Sequence, residues 1–259
     1  MTPSLTILTW NLNGSTGVDV DGVAGVLHAS CADVVVLQEV QRRQAHALAA
    51  RAEMPTVRWA FKHWPVPRPS EGLAVLGPHP IERSRTTTIT PGAPWSWRRR
   101  ILLVVRVDTP LGPITVADAH LSPHDAGRRR EAEARQVLAE LESSDGPAFV
   151  VGDLNDGSAD GSIGVFLGAG YEDGWTVVHG DEPGPTNWTH GDRRGRPPTQ
   201  RLDHVLVPPG WDVVSATVGP GAPIDSFASW SDHLPLVVTV RRAPRSSTRA
   251  PFRSIRTGR

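Results

Sequence analysis

The chain reads as an α/β protein in which two β-sheets pack face to face with helices on their outer faces. Three observations predict this. Short β-branched runs recur along nearly the whole chain, and only three windows carry a clear helical period. The 259 residues are 39% hydrophobic, enough for one large core. So many strands with so few helices do not fit a singly covered parallel sheet, whereas a two-sheet sandwich accommodates them.

Taken in order, Leu5 to Trp10 is a short strand, and Val20 to Ala29 is the first helix. The apolar run Val34-Val35-Val36-Leu37 makes a buried strand closed by Gln38-Glu39, and the second helix runs from Gln41 to Arg51. Strands follow at Thr56 to His63, Gly72 to Leu76, Ile81 to Ile89, Arg100 to Val107 and Ile114 to Leu121. The third helix spans Ala126 to Glu142, where Ala132, Ala134, Val137, Leu138 and Leu141 form an apolar stripe against an Arg/Glu face. After a strand at Ala148 to Gly152 comes a weaker helix around Ile163 to Ala169. The last strands are Asp203 to Val207, Val213 to Val218 and Pro235 to Arg241. The Pro- and Gly-rich loops Trp64 to Glu71, Pro91 to Arg99 and Gly180 to Gln200 are long enough to shape a binding surface.

Lys+Arg and Asp+Glu are equal at 27 each, so the whole chain carries no bias toward nucleic acid or anionic membrane. The distribution is uneven. Arg241, Arg242, Arg245, Arg249, Arg253, Arg256 and Arg259 crowd the end with no acidic residue among them, leaving the body before them net acidic. One domain over residues 1–241 and an Arg-rich, disordered tail over 242–259 are expected, the tail able to tether the protein to a polyanion. The one cysteine, Cys31, excludes an internal disulfide, fits a reducing compartment and reads as a small buried thiol. Nothing at the N-terminus resembles a signal peptide and no apolar run is long enough to span a bilayer, so a cytoplasmic monomer is expected.

Four strand ends carry chemistry: Trp10-Asn11-Leu12-Asn13, Gln38-Glu39, Gly152-Asp153-Leu154-Asn155 and Ser231-Asp232-His233-Leu234-Pro235. Carboxylates, amides and an imidazole at the ends of buried strands converge on one edge of a sheet. That combination suits metal-assisted hydrolysis of a phosphoester, which needs oxygen ligands, an activated water and help for the leaving oxygen. Seven strings then resemble the endonuclease/exonuclease/phosphatase superfamily, in its order: Thr-Trp-Asn-Leu-Asn at 9–13, Leu-Gln-Glu at 37–39, Gly-Leu-Ala-Val-Leu at 72–76, Ala-His-Leu at 119–121, Gly-Asp-Leu-Asn at 152–155, Arg-Leu-Asp-His at 201–204 and Ser-Asp-His-Leu-Pro at 231–235. Any one would be weak; seven in order are not chance. The resemblance covers Leu5 to Val240 and implies a four-layered α/β sandwich that hydrolyses phosphoesters with Mg²⁺, for which Mn²⁺ can substitute.

The resemblance also implies roles. Glu39 is the Mg²⁺ ligand, Asp232 lies close to the metal, and Asn13 stands where abasic-site endonucleases place an acidic ligand, so that ligand is neutral here. Asn11 orients Glu39 or the phosphate. Asp153 orients or deprotonates the attacking water and Asn155 donates to a phosphate oxygen; two apart on a strand, they face one side. His233 serves as base or phosphate ligand, held by Asp203 rather than by its neighbour Asp232, since adjacent side chains on extended backbone point apart. His120 resembles the second histidine of deoxyribonuclease I, with Glu71 a candidate to orient it. Abasic-site repair is disfavoured, because those enzymes carry a Tyr at this place and the one tyrosine here, Tyr171, lies beyond the Gly-Asp-Leu-Asn string.

His46, His63, His79, His124, His179, His190 and His204 have no motif behind them and read as surface or packing residues. Trp95, Trp97 and Trp188, with the run Arg98-Arg99-Arg100, are candidates to meet bases and phosphates. A nuclease-like phosphodiesterase on DNA or RNA is the first expectation and a hydrolase of small or lipid-head-group phosphoesters the second. A binding protein that keeps the fold without the chemistry is the third.

Overall fold

A computed structural model describes residues 3–63, 70–90, 99–123, 127–144, 146–157, 161–189, 193 and 195–244. The loop residues Trp64, Trp95, Trp97 and Arg98, and the tail beyond Pro244, lie outside the described residues.

The elements alternate as the hydrophobic periods dictate. β1 (Leu5–Asn11), α1 (Val20–Ala29), β2 (Val34–Val40), α2 (Arg42–Arg51), β3 (Thr56–His63) and β4 (Glu71–Gly77) come first. Then follow β5 (Ile81–Thr88), β6 (Ile101–Thr109), β7 (Gly112–Ala119), α3 (Gly127–Leu141), β8 (Ala148–Asp153) and α4 (Ser162–Gly168). The last third holds β9 (Glu172–Asp173), α5 (Gly174–His179), β10 (Asp203–Val207), β11 (Trp211–Val218), α6 (Ile224–Trp230) and β12 (Leu236–Arg242). Among the described residues the strands form two six-stranded sheets, ordered β11-β12-β1-β2-β4-β3 and β5-β6-β7-β8-β10-β9. Both are mixed, with β1 parallel to β2 and β7 parallel to β8.

Period two along each strand sorts the core into layers. Leu5, Ile7, Val34, Val36, Val116, Phe149, Val151 and Val205 meet between the sheets. Leu8, Trp10, Val35 and Leu37 face the other way and pack on α1, α2 and α6 through Val23, Leu27, Leu48 and Phe227. Leu102, Ala117 and Val150 pack on α3 and α4 through Ala134, Val137 and Phe166. The result is the four-layered sandwich, helices outermost.

Two helices and one strand are absent from the periodic pattern. Thr176-Val177-Val178 is β-branched, a composition that favours strand, but the Asp173 carboxylate accepts from the Trp175 and Thr176 backbone N–H groups and caps α5 into a helix. The seven-residue α6 is too short to show a period, and the two-residue β9 is fixed by pairing with β10. Cys31 is exposed, in a left-handed turn after α1 at φ 48°, and not the buried thiol expected.

The inner faces end in polar residues. Ile7-Thr9-Asn11, Val34-Val36-Gln38, Val116-Asp118-His120 and Val151-Asp153 are successive same-side positions, so the apolar interior gives way to a polar mouth. Just below it Gln38 spans the two sheets, its Nε2 donating to Asp118 Oδ1 at 2.9 Å while Thr9 Oγ1 donates to Gln38 Oε1 at 3.4 Å. Asp118 is fully buried, its Oδ2 has no hydrogen-bond partner among the described residues, and burial pushes its carboxyl well above the usual carboxylate range. A raised folded-state value means the folded protein holds more protons than the unfolded chain, so this group's contribution falls as pH rises above the ordinary Asp range. Asp118→Asn removes that penalty. It is expected to raise the melting temperature at pH 8 by about 3 °C or more, on the order of 1 kcal/mol, and to have little effect near pH 4. A melting temperature below wild type at pH 8 would show that the carboxylate is needed there.

Candidate active site

The mouth is a pocket of about 260 Å³ lined by Asn11, Glu39, Arg100, His120, Asp153, Asn155, Asp232 and His233, with Trp188, Leu202 and others. Four strand ends and the loop before β12 meet there. Asp153 is the hub. Its Oδ2 accepts from Asn11 Nδ2 at 2.9 Å and faces His120 Nε2 at 3.5 Å and His233 Nε2 at 3.8 Å. Its Oδ1 accepts from the Asn155 backbone N–H at 3.0 Å.

Local backbone geometry aims these groups. Along β2 the inward positions are Val34, Val36 and Gln38, so regular alternation would turn Glu39 outward. Instead the register shifts between Leu37 and Val40 and Glu39 takes φ 53°, swinging its carboxylate into the pocket. A bulge with a non-glycine left-handed residue is strained backbone placed where a side chain must be re-aimed. Asn155 and Asn13 are left-handed as well, at φ 51° and 45°. Asn155 therefore joins Asp153 through a side-chain turn at the strand end rather than by the extended alternation expected, and its Nδ2 is tied to Leu121 O. Asn13 lies outside the pocket lining, starting a short turn over 14–16, and its backbone N–H donates to Asn11 Oδ1.

The loop at 231–235 is stapled to β1. Ser231 Oγ donates to Asn11 O at 2.6 Å, the His233 backbone N–H donates to Ser231 Oγ, and Trp10 Nε1 donates to His233 O at 2.9 Å. Trp10 and Ser231, read from sequence as parts of motifs, thus hold the loop rather than meet a substrate. His233 Nδ1 lies 2.7 Å from Asp203 Oδ2, the expected partner. Asp203 is itself placed by its backbone N–H, which donates to Thr186 Oγ1, as does that of Leu202; no sequence signal marked Thr186. Burial pulls the His233 imidazole down, but the Asp203 and Asp153 carboxylates outweigh it and raise its pKa to about 10. Asp153, raised by burial and by Asp203 and Glu39 against the opposing pull of His233 and Asn11, reaches about 6.

His120 is held differently from expectation. Its Nδ1 faces Lys62 Nζ at 3.2 Å, whereas Glu71 lies 3.9 Å from His63 Nε2. An ammonium has only hydrogens to offer, so Nδ1 accepts and Nε2 carries the ring proton toward Asp153 and Glu39. Burial first, then the Lys62 and Arg100 cations, hold His120 well below the usual histidine range, so the ring is neutral. Burial lowers Lys62 to about 8, which keeps it mostly protonated at neutral pH. Glu71 stands beside Glu39, and burial with that neighbouring charge raises its carboxyl.

Other residues singled out from sequence serve packing. Trp188 is buried and its indole N–H donates to Arg196 O at 2.7 Å. Arg99 Nη2 donates to the carbonyls of Phe61 and Lys62. His204 bridges Asp173 Oδ2 and Asp156 O, at 2.6 and 2.8 Å. Asp156 receives Ser162 at the start of α4, the turn-forming role expected of it.

The donor set fits a divalent cation of the Mg²⁺ kind. Among the described residues no three His, Cys, Asp or Glu side chains form a closed cage. Mg²⁺ asks for none, taking one or two carboxylates and completing its shell with water and substrate oxygen. Glu39, a quarter exposed, and Asp232 offer carboxylates at the pocket surface, whereas the Asn11 amide is already engaged on both sides.

Known proteins bear on this arrangement. A structure described as an endonuclease/exonuclease/phosphatase from Beutenbergia cavernae DSM 12333 superposes with TM-score 0.76 at 28% identity, over 92% of this chain and 72% of that one. The human Nocturnin catalytic domain with bound sulfate anion matches with TM-score 0.72 at 19% identity, over 93% and 94%. A humanized D. rerio TDP2 matches with TM-score 0.69 at 17% identity, over 92% and 99%. These last two show the fold alone. No curated protein matches the chain. No helix among the described residues is long and apolar enough to cross a membrane. The model of the Endonuclease/Exonuclease/phosphatase family matches residues 8–233, a span that runs from the first of the converging strands to His233 itself, and the chain belongs to that family.

Proposed function

We propose that this protein is a divalent-metal-dependent phosphoester hydrolase. The observation that carries the reading is Asp153: one buried carboxylate, raised to about 6, faces both imidazoles from its Oδ2. A titratable group near neutrality inside a pocket is what proton transfer from an attacking water requires. The water oxygen forms the new bond to phosphorus while its proton passes to Asp153. The bond to the leaving oxygen breaks, and that oxygen takes a proton from the charged His233, whose Nδ1 side Asp203 neutralises. His120, neutral with its proton on Nε2, donates a hydrogen bond and no charge. Glu39 and Asp232 would hold Mg²⁺, or Mn²⁺ in its place, which would supply neutralisation of phosphate oxygens.

Lys62 acts through His120. Lys62→Met frees the ring to place its proton on Nδ1. It is expected to lower kcat by about 10- to 100-fold with KM within about threefold. The ¹⁵N shifts of the ring report the tautomer directly: an unchanged Nε2–H ring in the variant would remove Lys62 from this role.

An endonuclease-like action on DNA or RNA is the first substrate class, supported by the pair of histidines. Small phosphoesters are the second reading, favoured by Arg100 at the pocket and by the engagement of Trp188 and Arg99 in packing. Nicking of supercoiled plasmid with Mg²⁺, with chelator and His233→Ala as controls, tests the first. Cleavage lost in both controls supports it, and intact plasmid directs the search to small phosphoesters. Absence of turnover on any phosphoester with Mg²⁺ or Mn²⁺ would overturn the hydrolase reading in favour of a binding protein.

A further inference from the structure

Arg100 immediately precedes β6, and its main chain is fixed on both sides. Its N–H donates to Thr90 Oγ1 at 2.6 Å and its carbonyl accepts from Ile89 N at 3.0 Å. Arg100 lines the same pocket as Glu39, His120 and Asp153, and its Nη1 is shielded from solvent with no hydrogen-bond partner among the described residues. Burial opposes its charge, and the carboxylates of Glu39, Glu133, Asp153 and Glu71 sustain it through space. A guanidinium edge out of water and unpartnered is costly, and an anionic oxygen in the pocket would relieve the cost.

The position of the charge says what kind of anion. Beyond burial, the Lys62 and Arg100 cations act on His120, whereas the charges that act on His233 are the carboxylates of Asp203, Asp153 and Asp232. The pocket therefore has two cationic flanks, His233 on one side of Asp153 and Arg100 with Lys62 behind His120 on the other. The cleaved phosphate of a diester has two nonbridging oxygens sharing one negative charge, for which a cation held by Glu39 and Asp232 and the His120 Nε2–H would suffice. A terminal phosphate has a third such oxygen and a second charge.

We propose that Arg100 is a specificity-determining residue that receives this third oxygen, so that the preferred substrate is a phosphomonoester. The inference rests on the phosphoester reading and names its substrate class. A substrate pair with one leaving group tests it: p-nitrophenyl phosphate and the p-nitrophenyl ester of thymidine 5′-phosphate, each with Mg²⁺. Wild type is expected to favour the monoester in kcat/KM. Arg100→Met should lower the monoester-to-diester ratio by about 100-fold, and Arg100→Lys by less, on the scale of one charge-assisted hydrogen bond. The ratio does not depend on the folded fraction, so partial unfolding of a variant cannot imitate the result. An unchanged ratio, or a wild type that favours the diester, overturns the proposal. Should wild type turn over neither compound, the hydrolase reading still rests on the plasmid assay, and calorimetry with inorganic phosphate decides the subsite. Binding lost in Arg100→Met supports it; equal binding, or none in either protein, overturns it.

Discussion

Asp203→Asn is expected to lower kcat by about 10³-fold or more while leaving the fold intact, because the carboxylate behind His233 sets both the charge and the tautomer of the ring. Asp203 Oδ2 lies 2.7 Å from Nδ1, and Asp203 is fully buried, so water does not screen the pair. An amide can accept from Nδ1–H or donate to a bare Nδ1, and the second arrangement moves the ring proton to Nε2 without the positive charge that the leaving oxygen needs. The stability effect has a defined sign. The folded His233 pKa, about 10, lies above the unfolded value of roughly 6.5, so the pair's contribution is complete below about pH 6.5 and is lost as pH rises through 10. Wild type should therefore exceed Asp203→Asn by about 1.5–3 kcal/mol at pH 6, on the scale of a hydrogen bond between charged groups, and the gap should close toward pH 10. Chemical denaturation at the two pH values measures it. A kcat within tenfold of wild type would remove Asp203 from the mechanism.

That prediction is legible in the sequence, because Asp203 and His233 each lie in a motif and adjacent side chains on extended backbone diverge. The layers were legible for a similar reason. Ile7-Thr9-Asn11 and Val34-Val36-Gln38 carry period two to their polar ends, and a polar residue on an inward position has to lie at the edge of the interior. Glu39 breaks that rule. Alternation alone would have sent it outward, and only the bulge, which no local residue announces, turns it in. Lys62 and Arg100 were hidden differently. Lys62 sits in a strand of mixed polarity, in no motif, and its meaning depends on His120, 58 residues away and in the other sheet. Arg100 ends a run of three arginines marked as a whole to meet phosphates, and sequence does not separate it from Arg99, which is tied to backbone carbonyls while Arg100 enters the pocket. The histidine partner expected at Glu71 failed because sequence offered a nearby carboxylate and could not show the ammonium that lies closer. Long-range pairing, not propensity, decides such residues, as it decides α5, where a single carboxylate cap overrides a β-branched stretch.

Glu39→Gln is expected to reduce metal-supported turnover by about 10²- to 10³-fold, with weaker Mg²⁺ binding, and at the same time to hold or raise the melting temperature. The two effects share one cause. Glu39 stands among like charges, raising the Glu71 and Asp153 carboxyls, and the cations whose charge it helps sustain, Arg100 and Lys62, are buried. Without a divalent ion, that crowding is repulsion the fold carries; with one, Glu39 becomes a ligand and the repulsion is offset. Removing one charge relieves the first condition and defeats the second. The left-handed backbone at φ 53° stays in either variant, so the comparison isolates charge from strain. Melting curves with chelator and with Mg²⁺ separate the terms. In chelator the variant should match or exceed wild type, and added Mg²⁺ should stabilise wild type by RT ln(1 + [L]/Kd) but shift the variant little. A variant that melts lower in chelator would mean that Glu39 is held by structural contacts. One that keeps the full Mg²⁺ shift would place the ion on other carboxylates, Asp232 first among them. Stability gained where function is lost is the expected signature of a carboxylate kept for chemistry at the mouth of an otherwise apolar sandwich.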